Sequence, residues 1–279
     1  MRIYISADME GATGIVSSCQ TDSNESEYSF GQKMQLHDVK AVVSGALDAG
    51  ADEILINDSH WRMINLDIGE LGFDSRVRLI SGSPKALCMV EGFEGADAAF
   101  FVGYHAKMGT PRAILDHTIS GVRVYTISLN GREVGETGLN AATCADGGVP
   151  VALVTGDAAL CTEARELLGD GLVTARVKDA RGRLAADCLL PEESARVLRE
   201  AAAEAATRAR DGRAPRMDIG DGTYDLRITF HNSAQCDDAA IVPGVERIGG
   251  RTVRVTGRGM TEMMRWTLTL ISLAAYIEK

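Results

Sequence analysis

The chain has 279 residues, 45% of them hydrophobic, and a formal net charge of −10 at pH 7. That apolar content suffices for the core of one large or two modest domains, and the acidic balance argues against nucleic acid or an anionic membrane as partner, since both select basic patches. The six cysteines, at positions 19, 88, 144, 161, 188 and 236, stand singly with no Cys-x-x-Cys pair, which reads as reduced, buried thiols in a cytoplasmic protein.

The N-terminus reaches Asp8 after only a few apolar residues, too few for a signal peptide. The longest apolar run, 266–277, is too short to span a bilayer. At the start, Arg2-Ile3-Tyr4-Ile5-Ser6-Ala7 is an apolar, β-branched run that ends in Asp8 and Glu10. The i, i+2 spacing puts both carboxylates on one face of an extended chain. Two acids side by side repel, and a bound cation or a shared proton is the usual reason for such a pair. The turn Gly11-Ala12-Thr13-Gly14 lacks both the G-x-G-x-x-G and the Walker patterns, so a phosphate cradle is not indicated. The polar, aperiodic stretch 17–29 reads as a loop able to cover a site.

Apolar residues recur at helical spacing over 30–49, and Gly50 supplies the stop. A short strand over 53–57 ends in Asp58-Ser59-His60, and this β-α-β order implies a parallel pair with a right-handed crossover. Residues 77–80 read as a strand, 86–93 as a short helix, and 98–103 as a buried strand that ends in Tyr104-His105. Residues 120–129 alternate before Asn130-Gly131, a strong hairpin signal, and 132–134 should return antiparallel. A helix from Gly135-Glu136 to about 145, a strand over 149–155, a helix over 158–168 and a strand over 172–177 follow. From Arg181 the texture changes. An amphipathic helix over 191–210, a polar linker over 213–222, strands over 225–230 and 251–256, and a last helix over 261–276 indicate a smaller α+β unit. The expectation is an α/β protein with three layers and a mostly parallel central sheet over residues 1–180, followed by the smaller α+β domain over 181–279.

Ligands in open α/β sheets bind just outside the carboxyl ends of the strands. Here three strands in order end in Asp8/Glu10, Asp58/His60 and His105. Such a set of Asp, Glu and His without Cys suits a zinc-like or manganese-like catalytic ion. Five or more such ligands can hold two ions, with Asp8 or Glu10 as the natural bridge and a metal-activated water as nucleophile. Each residue also has a structural reading. Asp8 can cap the following turn, Glu10 can pair with an arginine, and Asp58-Ser59 is a good turn former, which is the reading preferred for Asp58. His37 and His231 lack a strand-end context. His117 follows the Gly109-Thr110-Pro111 loop and can reach the same edge as general base, nucleophile or electrostatic stabiliser. Glu136 opens a helix, where the dipole favours a carboxylate with or without a metal.

With these residues assembled, the sequence resembles the D-aminopeptidase family of M55 metallopeptidases. The resemblance rests on Asp8-Met9-Glu10-Gly11, Asn57-Asp58-Ser59-His60, Met89-Val90-Glu91-Gly92, Gly103-Tyr104-His105-Ala106, His117, Val134-Gly135-Glu136 and Gly138-Leu139-Asn140, in family order. It implies zinc ligands at Asp8, Glu10, His60, His105 and Glu136, a catalytic histidine at His117, and two Zn²⁺ per subunit. It further implies removal of an N-terminal residue, of D configuration in the type member, from short peptides. A ring-shaped decamer is also implied, with the smaller domain contributing to oligomerisation. Loop lengths around His117 depart slightly from the family pattern. Two competitors share the motifs: a dinuclear-metal hydrolase of another amide or a phosphoester, and a non-catalytic dipeptide-binding protein. A periplasmic version of the latter needs an export signal.

Overall fold

The computed structural model describes residues 1–72 and 74–275. The first strand, β1 (Arg2–Ala7), lies inside a seven-stranded sheet because its residues are apolar in both directions. Ile3, Ile5 and Ala7 pack towards α1 (Tyr28–Asp48), while Tyr4 belongs to the core on the opposite face. β2 (Glu53–Asp58), β4 (Ala98–Val102) and β7 (Val151–Asp157) are almost continuously buried for the same reason, as expected of strands covered on both sides. With β3 (Val77–Ile80) and β8 (Val173–Gly182), they form a parallel array in the order β3-β2-β1-β4-β7-β8. β9 (Ala185–Cys188) closes it as an antiparallel edge.

A second sheet is antiparallel throughout. It joins β5 (Val124–Leu129) and β6 (Arg132–Val134) to three later strands, β10 (Thr223–Phe230), β11 (Glu246–Arg247) and β12 (Thr252–Arg258). The remaining helices are α2 (Glu136–Asp146), α3 (Ala158–Leu168), α4 (Pro191–Arg210), α5 (Ser233–Ala240) and α6 (Met260–Leu273).

The mostly parallel α/β fold is the one expected, but the two sheets do not divide the chain at residue 180. β5 and β6 come from the first part and belong to the antiparallel sheet, where their alternation of buried and exposed residues leaves one face towards solvent. α4 comes from the second part and packs on the parallel sheet beside α1, burying Leu198, Ala202, Ala205 and Ala206. The expected helix over 86–93 is only a single 3-10 turn, Cys88–Val90. Of the expected last helix, Tyr276 lies outside the described residues.

The register places the site. Ala7 pairs with Asp58 on one side and with Val102 on the other. The chains leaving β1, β2 and β4 therefore emerge level, and the strand order reverses between β1 and β4, where open α/β sheets bind ligands. The segments after β1 and β4 then cross at van der Waals contact. The Gly11 amide donates to the Gly103 carbonyl at 2.8 Å, and a side-chain carbon at Gly11 would run into the Tyr104 carbonyl. Gly103 itself has φ +70°, the left-handed region that glycine tolerates. This crossing brings Asp8 and Glu10 against His105.

Candidate metal centre

Asp8 and Glu10 follow β1, His60 follows β2, His105 follows β4, and Glu136 is the first residue of α2. All five are buried, whereas His117 is partly open to a cleft. His60 Nδ1 lies 3.2 Å from Asp8 Oδ1 and 3.0 Å from Glu10 Oε2. On the other side, His105 Nε2 lies 3.5 Å from Asp8 Oδ2 and 3.2 Å from Glu136 Oε2. His117 stacks on His105 with ring centroids 4.0 Å apart, and its Nε2 is 3.7 Å from Glu136 Oε1. Two triads result, Asp8/Glu10/His60 and His105/His117/Glu136, each with ligand-type atoms mutually within 4.8 Å. Asp8 faces both, one oxygen to each side.

Every imidazole in the group is oriented by a backbone carbonyl. His60 Nε2 donates to Thr21 O at 2.7 Å, His105 Nδ1 to Ala106 O at 3.0 Å, and His117 Nδ1 to Leu115 O at 2.8 Å. The other ring nitrogen of each is thereby turned inward, the orientation that metal-binding histidines use once that nitrogen is deprotonated. Glu136 is held by the Ile119 amide at 2.6 Å, and Ile119 adopts φ +62°, a strained position for a β-branched residue. Beneath the site, Ser6, Ser59, Tyr104 and Asn140 form a buried hydroxyl–amide network that ties the three strand ends together.

The electrostatics match. Burial and the adjacent Glu10 carboxylate raise Asp8 to about 7. Burial also acts upward on Glu10, but His60, with His117 and His105 behind it, holds that carboxyl well below its usual range. Burial acts downward on His60 and His105, yet the carboxylates facing them lift both well above the ordinary imidazole value. Burial alone would raise Glu136, but His105 lowers it. His117 is lowered by burial and by the neighbouring His105. Even so, Asp8 Oδ2, Glu10 Oε2 and His105 Nε2 are buried without a hydrogen-bond partner. Buried acceptors left unpaired at one point are what a cation would satisfy, and an oxygen and imidazole donor set fits zinc.

Other expectations are placed as follows. Asp58 accepts from Leu66 N at 2.9 Å and Asn65 Nδ2 at 2.8 Å, a turn-holding role. His37, on α1, bonds Asp38 and the Pro191 carbonyl, and His231 follows β10; neither joins the triads. The loop over 17–29 contributes Ser18, Thr21 and Asp22 to the cleft wall. Among the cysteines, Cys144, Cys161 and Cys236 are buried and the other three partly so, with no disulfide among the described residues. Cys88 also lines the cleft, but burial pushes its thiol up to about 12, so it is no nucleophile.

Two residues escape the sequence reading. Lys178, on β8, is fully enclosed and donates to the carbonyls of Glu10 at 2.7 Å, Ala12 at 2.7 Å and Ile15 at 2.6 Å. A lone lysine closing an apolar strand was its only signal. Arg123, before β5, lines the cleft beside the 117–122 loop; nothing in its local sequence marks it.

Three carboxylates and three imidazoles at the carboxyl edge of an α/β sheet, facing a cleft of about 560 Å³, define a metal-dependent hydrolase. The family model for peptidase M55, D-aminopeptidase, matches residues 1–269, and the chain belongs to that family, the one its motifs resemble. It is 36% identical over 276 residues to a D-aminopeptidase of Bacillus subtilis (strain 168), covering 98% of each chain. It is also similar to the solved Zn-dependent D-aminopeptidase DppA from Bacillus subtilis, a self-compartmentalizing protease, with a TM-score of 0.93 and 33% identity over the whole of both chains.

Proposed function

We propose that this protein is a zinc-dependent D-aminopeptidase that removes the N-terminal residue from short peptides. The observation that carries the reading is the pair of adjoining triads with orphaned inward acceptors, opening on a cleft sized for a small peptide. Family membership supports the same activity. Asp8, Glu10 and His60 would hold one ion, and His105 and Glu136 a second. Asp8, with one oxygen towards each triad, would be the shared carboxylate. When bound, a zinc pair supplies Lewis acidity that polarises a carbonyl and lowers the pKa of water.

The chain's own groups do the rest. His117 is partly exposed at the cleft and held neutral by its environment, with its Nδ1 proton committed to Leu115. Its Nε2 can therefore take a proton during attack and return one to the departing amine. Walls that include Ser18, Thr21, Asp22, Leu268 and Ile271 shield a bound peptide from bulk solvent. A cytoplasmic ring-shaped decamer completes the proposal. DppA is described as self-compartmentalizing, and no helix among the described residues is long and apolar enough to cross a membrane. Ile241 and Ile248, exposed beside the antiparallel sheet, are available for subunit contacts.

The test is a metal-defined panel of D- and L-aminoacyl anilides and aryl phosphates. Chelation should abolish anilide hydrolysis and Zn²⁺ should restore it, with the D series preferred. Full activity after removal of all metal, or turnover of the phosphates alone, would overturn the reading. His117→Ala should keep its zinc and lose at least about 100-fold in kcat, the usual weight of a general acid–base group. Loss of bound zinc in that variant would make His117 a ligand instead.

A further inference from the structure

The metal cleft is lined by Asp8, Glu10, Asp22 and Glu136, and among the described residues Arg123 is the one lysine or arginine that lines it. Its backbone is fixed at both ends: the Arg123 amide donates to Ser120 O at 3.2 Å, and its carbonyl accepts from the His231 amide at 3.0 Å. The preceding residue is tied as well, the Val122 carbonyl accepting from Gln235 Nε2 at 3.1 Å. The side chain is different. Its Nε is buried without a hydrogen-bond partner, and among the described residues no carboxylate lies within ion-pair distance of it. In a chain with 39 acidic residues against 29 basic ones, partners are plentiful, and most other arginines use them, as Arg183 does with Asp116 and Arg254 with Asp225. With its Nε enclosed and no carboxylate beside it among the described residues, the guanidinium is free to pair with an anion, and its planar fork matches a carboxylate.

Resting on the aminopeptidase reading above, we infer that Arg123 binds the free C-terminal carboxylate of the substrate, so that the enzyme is selective for di- and tripeptide acids. The chemistry is complementary end to end. A peptide whose scissile carbonyl lies at the triads directs its departing side along the cleft. Arg123, lining the same cleft, offers a cationic partner for the carboxylate end. The cleft volume of about 560 Å³ accommodates a few residues. A C-terminal amide of the same length keeps every backbone contact and loses only the anion.

The experiment compares kcat/KM of the zinc-loaded protein for D-alanyl-glycine and D-alanyl-glycinamide, with D-alanine p-nitroanilide as a carboxylate-free third substrate. Wild type should prefer the acid over the amide by about 10- to 100-fold, chiefly through KM, as expected for one charge-assisted bidentate contact. Arg123→Ala should bring the acid-to-amide ratio to about one. Arg123→Lys, which keeps the charge and loses the fork, should give an intermediate ratio. Equal wild-type rates on acid and amide, or an unchanged ratio in Arg123→Ala, would overturn this inference while leaving the aminopeptidase standing. Failure to cleave all three substrates with zinc present would overturn the activity and this inference with it. Should Arg123→Ala not fold, the wild-type ratio and the lysine variant decide.

Discussion

Each histidine at the sheet edge gives one nitrogen to a carbonyl and aims the other at carboxylates, so the metal-free site is a lattice of shared protons. His60 and His105 are lifted well above the ordinary imidazole value by Glu10, Asp8 and Glu136, and Asp8 sits near 7. A divalent ion must displace those protons, because each ligand binds in its deprotonated form. Zinc loading of the metal-free protein at pH 7 is therefore expected to release about two to three protons per chain. The sign follows: raising pH removes the competing protons and tightens zinc binding, and lowering pH weakens it. Calorimetry in buffers of different ionisation enthalpy reads the number directly, and release of no protons would contradict the lattice. Most of this site was legible residue by residue, because Asp8, Glu10, His60 and His105 close apolar strands, where chemistry collects in an α/β sheet. Glu136 and His117 stood out less from position alone and came forward through the family resemblance, since each is brought in by the antiparallel hairpin and its loop, a tertiary contact that no local spacing encodes. Arg123 was silent for the same reason.

β8 reaches into the site through Lys178, which holds the loop after β1 by three of its carbonyls. Burial lowers the Lys178 ammonium to about 8 from an ordinary 10.5. Between those values the unfolded chain binds more protons than the folded one, so this group's contribution to stability rises with pH. In chelator, the stability of wild type relative to Lys178→Met should improve by about 2 kcal/mol from pH 7.5 to 9.5. Denaturant melts at the two pH values measure it, and a constant difference would mean that the lysine is not held as a strained cation. The elements around it show where sequence patterns carry and where they do not. The regular helices 28–48, 158–168 and 191–210 were clear from period and caps, the last two to the residue. α5 was missed because its Asn232 cap, a capping box with Gln235, precedes only eight residues with little apolar periodicity. β9 and β11 are short, mostly exposed edge strands whose pairing is supplied by β8 and β12. The segment 86–93 has helical spacing, but Cys88 at φ +51° and Gly92 at φ +84° confine it to a single turn, one at the turn's start and the other past its end.

At the scale of the molecule, two large apolar cores hold the fold, and neither depends on an ion. One core lies between the parallel sheet and α1 with α4, the other between that sheet and the antiparallel one with α2 and α6. Removing zinc should therefore leave the protein folded, since His60 and His105 can neutralise Glu10 and Glu136. It should nevertheless lower the melting temperature, because zinc binds only the folded arrangement. Each zinc at about a thousandfold above its Kd contributes about 4 kcal/mol, which for a chain of this length corresponds to about 7 °C, and two ions to about twice that. A thermal melt at fixed protein concentration, with and without chelator, measures the difference. His105→Ala, which removes a ligand from one triad and leaves Asp8, Glu10 and His60 in place, should gain from zinc about half of the rise in melting temperature that wild type gains. The far-ultraviolet circular dichroism of the chelated protein should match the zinc form at 25 °C. Loss of that signal on chelation would mean that the metal holds the fold and not only the site, and would move the ligands from catalysis into architecture.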